Sequence, residues 1–208
     1  MARSALFALI VLLRAANAQP LVEAEVWDAT QASFVEDGEL FMGCSLACAY
    51  GWTTTASSAL APQRNNRYDA GRLEDGTATT AWVEGADGDG VGERLIFTLQ
   101  ASGEDAEEAP PNPDQPVPFW GIDVVNGYAK DEATWRANGR VGEFLMRING
   151  QPVQRIRLAD SMLPQSVPLS GELHVKPGDV IELEITAVYP GQRFHDTALS
   201  EIVLHGAH

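Results

Sequence analysis

Glu143-Phe144-Leu145-Met146-Arg147-Ile148-Asn149-Gly150-Gln151-Pro152-Val153-Gln154-Arg155-Ile156-Arg157-Leu158 is the stretch that decides the fold class. Two runs alternate apolar and polar residues, the period of a half-buried strand. Between them stands Asn149-Gly150, whose residues tolerate the positive φ that a two-residue hairpin demands. This is one antiparallel hairpin, and the rest of the chain follows the same pattern. Strands are expected at Leu21–Trp27, Trp52–Thr55, Arg94–Leu99, Phe119–Asn126, Glu143–Ile148, Val153–Leu158, Glu172–Val175, Val180–Val188 and Ile202–His205. Lys176-Pro177-Gly178-Asp179 marks another tight turn. Helical periodicity is scarce, with short helical turns expected at Arg67–Leu73 or around the cysteines. Short strands punctuated by Gly and Pro predict an all-β sandwich.

The N-terminus carries an address. Ala5–Leu13 is an apolar run behind Arg3, followed by Arg14-Ala15-Ala16-Asn17-Ala18 with small residues at the −3 and −1 positions. This is the pattern of a secretory signal peptide cleaved after Ala18. The run is too short to span a bilayer, which takes about 20 residues. The expected organisation is a signal peptide at 1–18, an N-terminal strand and lead-in at 19–43, and one domain at 44–208. The mature product is expected to be exported, either secreted or held in the periplasm or at the cell surface, with no membrane insertion. Residues 101–118, ASGEDAEEAPPNPDQPVP, hold five prolines and five acids and read as a surface loop between two strands.

Charge narrows the partners. Asp and Glu number 29 against 14 Lys and Arg, a formal charge of −15. A nucleic-acid binder needs a basic surface for phosphates, so none is expected here. The two cysteines, Cys44 and Cys48, have three residues between them. In an oxidising compartment they read as a local disulfide. A zinc site would need two more ligands, and a redox pair usually has two intervening residues.

No residue pattern selects a reaction. The chain lacks His-Glu-x-x-His, Gly-x-Ser-x-Gly and a phosphate-binding Gly-Lys-Ser/Thr. Its four histidines form no cluster in the sequence. With so many acids, a glycosidase-like carboxylate pair is neither excluded nor selected. Asp87-Gly88-Asp89-Gly90 opens like a calcium loop but lacks the rest of that frame and reads as an acidic turn. Asp75-Gly76-Thr77-Ala78-Thr79-Thr80 is a better cation loop, since Gly lets the chain fold so that carboxylate, hydroxyl and carbonyl oxygens converge. The same residues also suit an Asp-Gly turn leading into a strand.

Aromatic faces stack on the apolar faces of sugar rings. Trp82 and Trp120 lie in apolar runs and are expected in the core. Tyr128 and Trp135 are expected in a loop with Asn138 and Arg140. These four either bind a ligand or brace a loop.

Four blocks occur in a recognisable order. They are Ala56-Ser57-Ser58 with Tyr68-Asp69-Ala70; Leu73-Glu74-Asp75-Gly76 through Thr80-Ala81-Trp82-Val83-Glu84 to Gly90-Val91-Gly92-Glu93; Val125-Asn126-Gly127-Tyr128-Ala129-Lys130 through Trp135, Asn138 and Arg140; and Val188-Tyr189-Pro190-Gly191 to Asp196-Thr197-Ala198-Leu199-Ser200-Glu201-Ile202. The set resembles the discoidin-like domain found beside secreted bacterial NAD glycohydrolases. That domain is described as an NADase-type glycan-binding or NAD glycohydrolase translocation domain, among the galactose-binding-like jelly rolls of the coagulation factor 5/8 type C kind. The resemblance spans about residues 44–206. It implies a jelly-roll β-sandwich of about eight to ten strands with a binding surface at one end. It implies a structural calcium between Asp75, Thr80 and Glu201, with carbonyls near Arg72 and Ala78. It does not imply NAD hydrolysis, because the glycohydrolase of the namesakes is a separate domain, so neither catalytic residues nor NAD are expected. The expected function is a non-catalytic carbohydrate-binding module whose partner is a glycan or glycoconjugate, through Tyr128, Trp135, Asn138 and Arg140. The alternative is a protein-interaction or adhesion domain that binds an envelope or secreted protein, and then a glycoside hydrolase.

Overall fold

The computed structural model describes residues 19–28, 35–36, 39–40, 45–101 and 115–206. The signal-peptide segment, Cys44 and residues 102–114 lie outside the described residues, and with Cys44 goes the expected Cys44–Cys48 bridge.

Two short strands open the chain, β1 (Leu21–Glu23) and β2 (Glu25–Val26), followed by the small pair β3 (Val35–Glu36) and β4 (Glu39–Leu40). Then come β5 (Tyr50–Ala56), β6 (Trp82–Val83), β7 (Arg94–Ala101) and β8 (Val117–Asn126). Among the described residues one α-helix, α1 (Glu132–Ala137), precedes β9 (Gly139–Ile148), β10 (Gln151–Arg157), β11 (Gln165–Val175), β12 (Val180–Tyr189) and β13 (Thr197–Gly206). Single 3-10 turns occupy Leu46–Cys48 and Ala70–Leu73. The strands run in the order β2-β11-β8-β13-β9-β12-β7-β5, with β10 beside β9 and β1 beside β10. This is the expected jelly-roll β-sandwich. The described strands exceed the expected count because several, such as β2 and β6, are only two residues long.

The hairpin forms as its sequence dictates. Asn149 and Gly150 take φ of 52° and 76°, and Ile148 pairs with Gln151. Phe144, Met146 and Ile156 point into the core and are fully buried. Val141 shares that core although it lies three residues from Phe144, because the β9–β12 register shifts between Ile185 and Val188. On the outer face, Glu143 receives Arg155 at 2.6 Å and Arg157 at 3.7 Å.

Strand β13 joins the layers. Thr197 and Ala198 run parallel to β9, Leu199 pairs with Trp82 of β6, and Glu201–Gly206 run antiparallel to β8. Leu199, Ile202 and Leu204 fill the core with Phe97, Phe119, Val167 and Leu183. Each such side chain contributes about 1.5–3 kcal/mol on burial.

Four expectations change. Trp120 is not a core residue: it is 58% exposed. Both neighbours skip it, since Phe119 and Gly121 pair with Gly206 and His205 on β13, and with Leu173 and Pro168 on β11. That bulge turns the indole outward. Trp135 lies on α1 rather than in a loop; six residues are too few to show a helical period. The segment Leu21–Trp27 is two strands, because the chain leaves parallel pairing with β10 and joins β11. The expected 101–118 loop is shorter at both ends, for Ala101 closes β7 and Val117 is buried at the start of β8.

Candidate functional site

At one end of the sandwich, loops from four parts of the chain enclose a cleft of about 260 Å³. One wall is Leu60, Gln63, Asn66, Tyr68 and Val83, from the segment before β6 and β6 itself. Tyr128 and Lys130 form the rim after β8, Thr134 and Asn138 belong to α1 and its C-terminal cap, and Phe194 with Asp196 close the far side. The mixture of ring faces, amides and one carboxylate suits a polyhydroxylated ligand.

Local chemistry positions these groups. Asp131 caps α1 by accepting the Thr134 N–H at 2.7 Å, and Glu132 holds Arg136 one turn on at 2.7 Å. Asn138 ends the helix, its Nδ2 donating to the Thr134 carbonyl at 2.9 Å. The carbonyls of Arg136 and Ala137 then accept N–H bonds from Gln192, Arg193 and Phe194 at 2.8–3.1 Å. That clamp presents Phe194, which is 42% exposed. Burial raises the Tyr128 hydroxyl above its ordinary pKa, helped by Tyr68 and Asp131, so at neutral pH it stays a donor.

The four expected ligand residues divide into two pairs. Tyr128 and Asn138 line the cleft. Trp135 and Arg140 lie beneath it, at 8% and 7% exposure. The Trp135 indole donates to the Asn126 carbonyl at 2.9 Å. The Arg140 guanidinium takes both oxygens of Asp160 at 2.8 and 3.0 Å and donates to the carbonyls of Asn138 and Pro190. With both ring and guanidinium occupied, this pair supports the floor instead of contacting a ligand. Gly127 permits the stack, since at φ 81° a Cβ there would stand 2.6–2.7 Å from Arg140 and Trp135.

The expected cation loop also assembles. Thr80 donates to Asp75 at 2.6 Å, the Thr77 N–H reaches the same carboxylate at 3.4 Å, and Arg72 pairs with it at 3.1 Å. Glu201 sits against this loop at 3% exposure, accepting the Gly76 N–H. Its carboxyl is pushed up to about 8, first by burial and then by the negative charge of Asp75. Ser200 donates to the Ala78 carbonyl at 3.2 Å. By contrast, Asp87–Gly90 is a turn: Asp89 accepts the Val91 N–H, and its carbonyl accepts the Thr197 hydroxyl.

The sequence matches the model of the NAD glycohydrolase translocation F5/8 type C domain over residues 48–109 and 112–205. The chain belongs to this family. Three solved structures are similar in fold to this F5/8 type C domain. One is the pair of CBM32-1 and CBM32-2 domains from Clostridium perfringens ZmpB, at 8% identity and TM-score 0.54, covering 91% of this chain and 42% of that one. A second is the same pair in complex with GalNAc, at 9% identity and TM-score 0.54, covering 91% and 40%. The third is a putative chitobiase fragment from Bacteroides thetaiotaomicron, at 13% identity and TM-score 0.50, covering 76% and 89%. The chain spans less than half of the two ZmpB chains. No curated protein matches it. Among the described residues, no helix is long and apolar enough to cross a membrane.

Does the chemistry of this F5/8 type C domain fit a calcium ion between Asp75, Thr80 and Glu201? Glu201 Oε2 is buried without a hydrogen-bond partner, and the negative charges of Asp75 and Glu74 oppose its ionisation. A hard cation relieves both costs, and the remaining donors are oxygens, so the residues fit. Among the described residues no group of three or more His, Cys, Asp or Glu gathers, so hydroxyl and carbonyl oxygens would complete the set.

Sequence reading missed Leu60, Gln63, Asn66, Tyr68, Thr134, Phe194 and Asp196 as cleft residues. Tyr68 and Asp196 stand in the blocks that carry the resemblance, and Phe194 is an aromatic between Arg193 and His195 in an otherwise polar run.

Proposed function

We propose that this F5/8 type C domain is an exported, non-catalytic module that binds glycans in the loop-end cleft. The observation that carries this reading is the cleft itself. Tyr128 and the exposed Phe194 offer ring faces, and Asn66, Asn138, Lys130 and Asp196 offer hydrogen bonds within one concavity. A sugar would stack its apolar face on an aromatic while its hydroxyls replace water on the amides and acid. Structures similar in fold include a pair of CBM32 domains solved in complex with GalNAc, which supports the ligand class. Export rests on the Ala5–Ala18 pattern, with cleavage after Ala18.

A calcium ion at Asp75, Thr80 and Glu201 is the second part of the reading. When bound it supplies a structural tie between the 75–80 loop and β13 and takes no part in chemistry.

The test is a glycan array probed with the purified protein. Selective binding to a glycan class, abolished by Tyr128→Ala and Phe194→Ala in folded protein, is the expected result. A blank array from folded, monodisperse protein overturns the reading and points to a protein partner.

A further inference from the structure

The cleft does not end at Tyr128. Beyond Tyr128 and Lys130 lies a smaller recess of about 130 Å³, which adds Arg67, Arg72, Thr79 and Thr80 to the walls. Next to it, Arg64, Arg67 and Asp69 border a shallow depression.

The charge here opposes that of the whole chain. Acids outnumber bases 29 to 14 in the sequence, yet Arg64, Arg67, Arg72 and Lys130 gather around this end. The acids lining the three concavities are Asp69 and Asp196. Asp69 is already used, accepting the Gly71 N–H at 3.2 Å.

The pairing of arginines sharpens the contrast. Arg94, Arg136, Arg140, Arg147, Arg155 and Arg157 each hold a carboxylate on the same chain, as does Arg72. Among the described residues, Arg64, Arg67 and Arg193 hold none. All three lie at the cleft end, with Arg193 over the Phe194 ring, 5.0 Å from its centroid. Arg64 also sits at φ 55°, at the tip of a turn closed by two bonds between Gln63 and Asn66. Glycine or asparagine fits that position with less strain. An acidic chain that leaves its unpaired guanidiniums at one end, beside adjoining concavities, is complementary there to an anion.

We infer that the bound glycan is acidic, with its ring in the Tyr128–Phe194 cleft and a carboxylate in the Arg67–Lys130 recess. This rests on the glycan reading. Guanidinium binds carboxylate through two parallel N–H bonds, which gives geometric selection as well as attraction.

The experiment prints carboxylated glycans beside their carboxyl-reduced, neutral twins and probes them with the purified protein. The expected result is about tenfold tighter binding to the acidic member at low salt, fading as the Debye length shrinks to about 3 Å near 1 M. Arg67→Gln should bring that ratio down toward one with an unchanged melting temperature, and Arg64→Gln, at the neighbouring depression, should lower it less. Equal binding to both twins overturns the acidic specificity and leaves the glycan reading standing. A blank array overturns both. Polyglutamate competing as well as the acidic glycan also overturns the proposal, because the patch would then be a general anion surface.

Discussion

The guanidinium of Arg140 stacks on the ring of Trp135, 4.6 Å from its centroid, and both side chains are under one-tenth exposed. This pair, anchored to Asp160 and three backbone carbonyls, carries the floor on which Tyr128 and Asn138 stand. Arg140→Met is expected to cost about 3 kcal/mol, because it strands carbonyls that Arg140 satisfies and removes the stack. Arg140→Lys should recover less than half, since an ammonium cannot reproduce the fork. Urea unfolding measures both. A stable Arg140→Met protein that had lost only ligand binding would return Arg140 to the list of direct contacts.

Calcium at the proposed Asp75–Glu201 site would act through stability. Calcium at about a hundred times its dissociation constant should add roughly 2.7 kcal/mol, and chelation should remove it. That corresponds to a melting shift of about 5–10 °C for a chain of this size. Glu201→Gln should abolish the shift, and without calcium should melt no lower than the unsubstituted protein. A calcium response that survives Glu201→Gln places the ion elsewhere.

Glu84 sets a pH dependence of its own. Its pKa is raised, mainly by burial and further by Asp196 and Glu93, against N–H bonds from Ala86 and Thr197. A carboxyl with a raised folded pKa binds more protons folded than unfolded, so its contribution to stability falls as pH climbs from 4.5 through the raised value. Glu84→Gln does not titrate. The destabilisation it causes should therefore shrink as pH rises across that window, read from urea midpoints in chelator. A cost that grows with pH would show that the hydrogen bonds outweigh burial.

Trp82 and Trp120 should respond oppositely to truncation. Trp82 is fully buried and donates to the Ser58 carbonyl at 2.9 Å, so Trp82→Ala is expected to cost about 3–5 kcal/mol. Trp120→Ala should stay within about 0.5 kcal/mol. Iodide should quench Trp120 fluorescence and spare Trp82.

The mismatch at Trp120 shows where local pattern fails. Phe119, Ile122 and Val124 all face the core, so the run looks uniformly apolar. Which residue leaves it depends on the bulge, and the bulge depends on how β11 and β13 pair with β8. Neither partner is near in sequence. The same holds for Trp135 and Arg140: one is a potential sugar platform and the other a potential hydroxyl donor by type alone. Their burial follows from Asp160, Asn126 and Pro190 closing around them. Phe194 is exposed for a long-range reason too, since the C-terminal end of α1 grips its backbone.

What the amino-acid sequence determined by itself was local: alternation, the Asn149-Gly150 turn, the Asp75-Gly76 loop, and an ordered set of blocks sufficient to name the family. These depend on φ preferences and on a period of two residues, which act between neighbours. The tertiary structure decided what lies between distant segments. It brought Glu201 to Asp75, buried Trp135 under Arg140, turned Trp120 outward, and gathered Arg64, Arg67 and Lys130 beside one cleft. Those outcomes depend on strand register and on which side chains compete for the same buried space, and both are settled only when the sheets pack.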